Sequence, residues 1–435
     1  MLANFRLSRQ VGLLFSNVLI LLCVRGYESQ AWAQSSFAPI AGRWEATVTV
    51  NDAVIPFRLD LTGKEGALTA TLFNGEVRQT STGAAFDKGV LRVSFDHYLT
   101  KIVANLKEGR LEGRVRLRND KDGAGNPFSA ARYRSEVADT ANVPSIEGLW
   151  IVPRETNKGE KSWRLIVSQK GAELSAAILR IDGDTGSLTG RWRNDKFVLG
   201  HFDASRPLRL EITPAADGAL DLLLAGAGPN RGRLVAYRPE VARAKGIPEP
   251  ADARTHTTVR DPNEVFTFSF PDLDGKLVTS NDERFRNKAL VVVVTGTWCP
   301  NCHDEARYLV ELYRQYRHRG LEIVALDFEE PEQQEELVRA RSFVSKYGVE
   351  YTYLLAGAPA EMWEKVPQAL NLNTWPATFF IGRDGRVKAI HAGFAAPASG
   401  IFHEQLKREF TENIERLLSG VEISRQAAPS ERGSR

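Results

Sequence analysis

Ala289-Leu290-Val291-Val292-Val293-Val294-Thr295-Gly296-Thr297-Trp298-Cys299-Pro300-Asn301-Cys302 is an apolar run that ends in two cysteines separated by two residues. A run from Ala289 to Thr295 with four consecutive valines reads as a strand buried on both faces, the kind found in the middle of a sheet covered by helices. Beyond Cys302 the period changes: Leu309, Leu312, Tyr313 and Tyr316 fall on one side and Gly320 follows as a stop, which predicts a helix. The cysteines therefore stand where a strand ends and a helix begins. The unpaired N–H groups and partial positive charge of a helix N-terminus stabilise a thiolate over a thiol. Lowering a cysteine from ~8.5 to ~7 corresponds to about 2 kcal/mol and ionises about half of it at neutral pH. Pro300 lacks an N–H and suits the first helical position. Cys299 is the expected nucleophile, and Cys302, one turn on, would attack the mixed disulfide and release the reduced partner.

Working outward, strands alternate with helices from Phe266 on, the order that builds an α/β sheet. Strands are expected at Leu321 to Phe328, Tyr351 to Leu355 and Ala377 to Ile381, with helices at Glu332 to Tyr347 and around Pro359 to Leu370. Arg383-Asp384-Gly385-Arg386 turns the chain into a hairpin strand, Val387 to His391. Phe402, Leu406, Phe410, Ile414 and Leu417 mark a last amphipathic helix.

From Phe266 to Leu418 the chain resembles the thioredoxin superfamily, and within it the extracytoplasmic TlpA, ResA and CcmG-like branch. The resemblance rests on Phe268 to Val278 with its Asp274-Gly275 turn, Trp298-Cys299-Pro300-Asn301-Cys302, the segment around Ala360 to Leu370, and Trp375-Pro376-Ala377-Thr378-Phe379. It implies that Pro376 is cis and faces the cysteines, that the Trp375 peptide pairs with an extended substrate, and that Trp298 and Pro300 flank the reacting sulfur. It further implies that Glu305, three residues after Cys302, manages the proton of the second cysteine. The alternative is a solvated carboxylate favoured by the helix dipole. Thioredoxin buries an aspartate on the preceding strand; Val291 to Val294 stand there here, leaving Glu305 or water to move the proton. The implied activity is thiol-disulfide exchange with partner-protein disulfides or thiols, more often as reductant and often on the route to cytochrome c assembly. A membrane-bound electron donor would be the counterpart, and the redox-active disulfide would itself be the only redox group.

The N-terminal half is built differently. Ile40-Ala41-Gly42-Arg43-Trp44 recurs 106 residues on as Ile146-Glu147-Gly148-Leu149-Trp150, Phe57-Arg58-Leu59 as Trp163-Arg164-Leu165, and Leu68-Thr69-Ala70 as Leu174-Ser175-Ala176. Ala131-Arg132-Tyr133-Arg134 is echoed by Ala236-Tyr237-Arg238. Short alternating runs such as Ala46 to Val50, Phe57 to Leu61 and Leu91 to Phe95 read as half-buried antiparallel strands. The expected fold is multidomain: two tandem β-rich, barrel-like repeat domains at 39–140 and 143–240, a linker at 241–262, the thioredoxin-like domain at 263–420 and a polar tail at 421–435. The Gly-x-Trp openings resemble those of lipocalin-type barrels. The repeats bear no His, Cys or carboxylate cluster at ligand spacing, so they read as spacer or binding modules.

Arg6 and Arg9 before the apolar run Val11 to Val24, with Ala31-Trp32-Ala33 behind it, read as a signal peptide at 1–33 cleaved after Ala33, hence export to the periplasm. An uncleaved anchor is the alternative, although the run is shorter than the ~20 residues of a span. Bulky Leu22 before Cys23 argues against a lipoprotein. Cleavage would leave Cys299 and Cys302 as the only cysteines, so no structural disulfide could form besides their own. A net charge of +3 over 435 residues offers nothing to nucleic acid. Cys299 to His303 also fits the C-x-x-C-H haem attachment pattern, but the buried strand before it, Trp375-Pro376 after it and Met362 as the only methionine beyond Met1 weigh against haem. In that case His303 is a polar residue of the first helical turn. Two cysteines and seven histidines make a structural zinc site improbable. A peroxidase would resemble Pro-x-x-x-Thr-x-x-Cys, which the residues before Cys299 lack. A scaffold protein carried by the repeats is the remaining alternative.

Overall fold

A computed structural model describes residues 39–64, 67–118, 120, 123–134 and 142–420. The expected leader and polar tail lie outside the described residues.

Residues 39–134 form a nine-stranded antiparallel sheet. Gly42–Val50 pairs on one side with Ala53–Lys64 and on the other with Asn126–Arg132. Alternation decides which face turns inward: Trp44, Ala46, Val48 and Val50 are buried while the residues between them are half-buried or exposed. The sheet curls until its edges approach, since Ser81 N donates to Ala70 O and Thr82 N to Ser94 O. A second curled sheet runs from Gly148–Pro153 to Gly232–Ala236, and Ile151 and Tyr237 exchange backbone bonds of 2.8 and 2.9 Å across its ends. The two sheets share details. Trp44 Nε1 donates to Ile40 O and Trp150 Nε1 to Ile146 O, both at 2.9 Å. The Arg132 guanidinium lies 4.2 Å from the Trp44 ring and that of Arg238 3.9 Å from the Trp150 ring. The sheets abut where Asn74 brackets the backbone of Phe202 with bonds of 3.0 and 2.9 Å.

The C-terminal domain is a five-stranded sheet between helices. Its elements are β1 (Ala289–Thr295), α1 (Pro300–Tyr316), β2 (Leu321–Phe328), α2 (Val338–Tyr347), β3 (Thr352–Gly357), β4 (Ala377–Ile381), β5 (Val387–Ala392) and α3 (Ile401–Ser419). Strand order is β3-β2-β1-β4-β5, with β1, β2 and β3 parallel and β4 and β5 antiparallel to their neighbours. β1 is central and buried at every residue. One face packs Val291 and Val293 with Leu309, Leu312, Phe410 and Ile414, and the other packs Val292 and Val294 with Phe268, Phe328 and Phe379.

Three expectations need correction. Helix α2 begins at Val338 rather than Glu332, because Leu337 takes a left-handed conformation (φ 52°) after a 3-10 turn at Pro331–Gln333. The helix expected around Pro359 to Leu370 shrinks to a 3-10 turn and the single turn Met362–Lys365, since Pro367 pushes Val366 out of helical geometry (φ −126°, ψ 62°). Leu370 and Ala369 pair instead with Thr258–Val259. The stretch read as a linker is bonded on both sides: Pro239–Ala244 is helical, Ser162 Oγ donates to Pro248 O (2.6 Å), and Ala392 N donates to Ala253 O (2.8 Å).

Candidate active site

The site forms where β1 runs out. Cys299 N donates to Gly296 O (2.9 Å), closing a tight turn, and Cys299 caps α1 in an extended conformation with Pro300 at the first helical position. Gly296 is needed there, because a Cβ would come within 2.4 Å of Trp298 Nε1. That indole N–H donates to Phe328 O at 2.8 Å. The Trp375-Pro376 peptide is cis. The Trp375 carbonyl accepts from Cys299 Sγ at 3.5 Å, and the Trp298 and Trp375 rings pack edge to face at 5.0 Å. Cys299, Cys302, Trp298, Pro300, Trp375 and Pro376 are thus brought together.

Both cysteines are unbonded thiols and buried, Cys299 5% exposed and Cys302 1%. Burial pushes the Cys299 thiol up, but hydrogen bonds from the Cys302 side chain and N–H outweigh it and bring Cys299 below its ordinary value. Cys302 moves the other way, through burial and then the adjacent Cys299 sulfur. The two sulfurs are therefore unequal in the sense the chemistry requires.

Glu305 is 1% exposed, so it is no solvated carboxylate. Thr378 Oγ1 on β4 donates to its Oε1 at 2.5 Å. Burial, helped by the Cys299 charge, pushes its carboxyl up to about 8 against the Thr378 bond. His303 departs from expectation too. It is fully buried, with Nε2 2.6 Å from Thr297 O, Nδ1 2.9 Å from Tyr347 OH, and its ring 4.2 Å from that of Tyr98 in the first sheet. Covering of α1 by that sheet had no signal in the helix's own period.

Residues from distant sequence complete the site. Asn301 Nδ2 donates to Asp182 O (2.9 Å), and Arg206 Nη1 donates to Asn301 Oδ1 (3.0 Å), so the second sheet holds one of the two residues between the cysteines. Beneath Trp298, Glu329 bonds the Thr297 hydroxyl and N–H and pairs with Arg339, both fully buried. Beside Cys299 lies a cavity of about 560 Å³, walled by Trp298, Pro300 and Trp375 on one side and by Asp182, Arg206 and Leu224 on the other. Among the described residues no group of three or more His, Cys, Asp or Glu could hold a metal ion.

Strand order, a C-x-x-C pair capping the first helix and a cis-proline loop facing it define a thioredoxin-like fold. Comparison with known proteins narrows the class. A family model for AhpC/TSA proteins matches residues 262–390. Thiol-disulfide oxidoreductase ResA of Bacillus anthracis is 31% identical over 124 residues, 28% of this chain and 65% of that protein. ResA of Halalkalibacterium halodurans is 26% identical over 151 residues, 35% of this chain and 75% of that protein. The chain thus spans just under two thirds of the length of the Bacillus relative. A thiol:disulfide interchange protein of the thioredoxin family from Chlorobium tepidum aligns with 37% of this chain and 99% of its own, at 21% identity and a TM-score of 0.28. The C-terminal domain is a thioredoxin-superfamily domain of the TlpA, ResA and CcmG-like kind.

Proposed function

We propose that the chain is an extracytoplasmic protein-disulfide oxidoreductase working through Cys299 and Cys302, more as reductant than oxidant. The observation that carries the reading is the inequality of the two sulfurs at the head of α1, with the more acidic one facing the Trp375 carbonyl. In the reductive direction the Cys299 thiolate attacks one sulfur of a partner disulfide, and the other sulfur leaves as a thiolate that takes up a proton. Cys302 then loses its proton and attacks Cys299, expelling the second partner thiol. The protein dithiol has become a disulfide and the partner has gained two electrons. Glu305 supports the middle step: once the Cys299 charge is spent in the mixed disulfide, one cause of its raised value is gone, so it gives up its own proton more readily and its carboxylate is present to accept the Cys302 proton. Trp298, Pro300, Trp375 and Pro376 would position the partner's backbone.

The counterpart would be a membrane-bound electron donor, and cytochrome c assembly is a destination in keeping with the branch. Export follows from the Arg6 to Ala33 pattern and accords with the ResA likeness; among the described residues no helix is long and apolar enough to cross a membrane. The matched tryptophan and arginine contacts support reading the two curled sheets as tandem repeats. The AhpC/TSA match favours peroxidase chemistry as a second reading. However, Val292 and Gly296 stand where the peroxidase motif places its proline and threonine.

The test is a trap. Cys302→Ala should retain partner proteins as mixed disulfides on Cys299 that dithiothreitol releases, and adding Cys299→Ser should abolish capture. Equal capture by the double variant would contradict the reading.

A further inference from the structure

The second sheet does more than touch the redox domain. Its strand Glu173–Arg180 turns through residues 181–184 directly onto the substrate edge of the site. Asp182 Oδ1 accepts from Trp375 N (3.2 Å) while Trp375 O accepts from the Cys299 thiol, so both backbone polar groups of Trp375 are taken. The Asp182 carbonyl accepts from Asn301 Nδ2 (2.9 Å) and from Phe394 N (3.1 Å), and Gly183 bridges Phe394 in parallel, like an added strand. The fit is close: a Cβ on Gly183 would lie 2.2 Å from Phe394 O. Ser399 Oγ pins the far side of the turn by donating to Asp184 Oδ2 at 2.5 Å, and Lys158 Nζ holds the Asp182 carboxylate at 2.5 Å. An incoming polypeptide would need the bonds that this turn already makes. The cavity of about 560 Å³ beside Cys299, which Asp182 of the seated turn helps to wall, stays available, a size that accepts small ligands, and Lys158, Arg180, Arg206 and Arg231 line it.

We infer that residues 181–184 are a built-in occupant of the peptide-docking edge: with the turn seated, Cys299 exchanges with small disulfides entering the cavity, and a polypeptide disulfide gains access only when the turn leaves. This rests on the dithiol-disulfide reading above. The exchange balances as described there, the dithiol giving two electrons and two protons to a small disulfide and yielding two thiols.

The experiment uses the pre-reduced full chain in single turnover, followed by tryptophan fluorescence and by thiol counting, with oxidised glutathione as the small disulfide and insulin as the polypeptide one. Gly183→Val wedges the turn off Phe394, and Ser399→Asp sets a second carboxylate against Asp184; neither touches the sulfurs. A site competent only in a minor open state reacts more slowly by the open fraction. The parent should therefore reduce glutathione disulfide readily and insulin slowly. Each variant that retains the parent's circular dichroism should speed insulin roughly tenfold or more and leave the glutathione rate within about twofold. Insulin reduction unchanged in a folded variant, or a parent that reduces insulin and ignores glutathione disulfide, overturns the inference while leaving the oxidoreductase reading intact. Failure of parent and variants to reduce either disulfide overturns that reading itself.

Discussion

Cys299 lies between opposing demands, since burial disfavours its charge while hydrogen bonds from Cys302 favour it. Glu305 shows how such conflict becomes measurable. Its carboxyl moves from 4.5 to about 8, so the folded chain holds this proton more tightly than the unfolded one. The associated stability is complete below about pH 4.5 and is lost as pH rises through about 8. Glu305→Gln, which can keep the Thr378 bond, should therefore melt at a higher temperature than the parent at about pH 9, with the gap closing near pH 5. Thermal scans across that range check it, and a gap that grows toward acid pH would contradict it. The same variant should accumulate mixed disulfide in stopped-flow quenching, because the Cys302 proton has lost an acceptor. The cysteine pair stood out in the sequence by its spacing, and Glu305 only through the family resemblance. Asp182, Arg206 and the burial of His303 were not, because each is defined by a surface that another part of the chain supplies.

At the scale of elements, β1 was readable because an unbroken apolar run has one outcome, a strand covered on both faces. Helix α2 was misjudged at its start because a left-handed Leu337 leaves no mark on composition. The same helix carries Arg339, whose guanidinium pairs with buried Glu329 beside the Thr297 hydroxyl. Removing one partner of such a pair strands the other charge away from water, typically at about 3–5 kcal/mol. Arg339→Met should lose stability of that order in urea unfolding, and adding Glu329→Gln should recover part of it. Since Glu329 bonds the turn that places Trp298, the single variant should also slow disulfide exchange.

For the whole molecule, two curled sheets and a redox domain were legible as composition and period, but their packing was not. Docking depends on single contacts, such as Gly200, where a Cβ would lie 1.8 Å from Pro56 O, and Asn74 against Phe202. Asn74→Leu leaves a buried N–H and C=O of Phe202 unpaired, at about 1–3 kcal/mol each. It should lower the unfolding midpoint and detach the first sheet from the second, seen as faster proteolysis between them. All three scales converge on one sulfur that ionises early beside one that ionises late. The direct measurement is the ultraviolet absorbance of thiolate in the reduced full chain, titrated against pH with and without Cys302→Ala. One thiol should ionise below the ordinary cysteine range, assigned to Cys299 by its upward shift in the variant, and the other above it. Two thiols titrating together at the ordinary value, with no reversible bond forming between them, would contradict the mechanism.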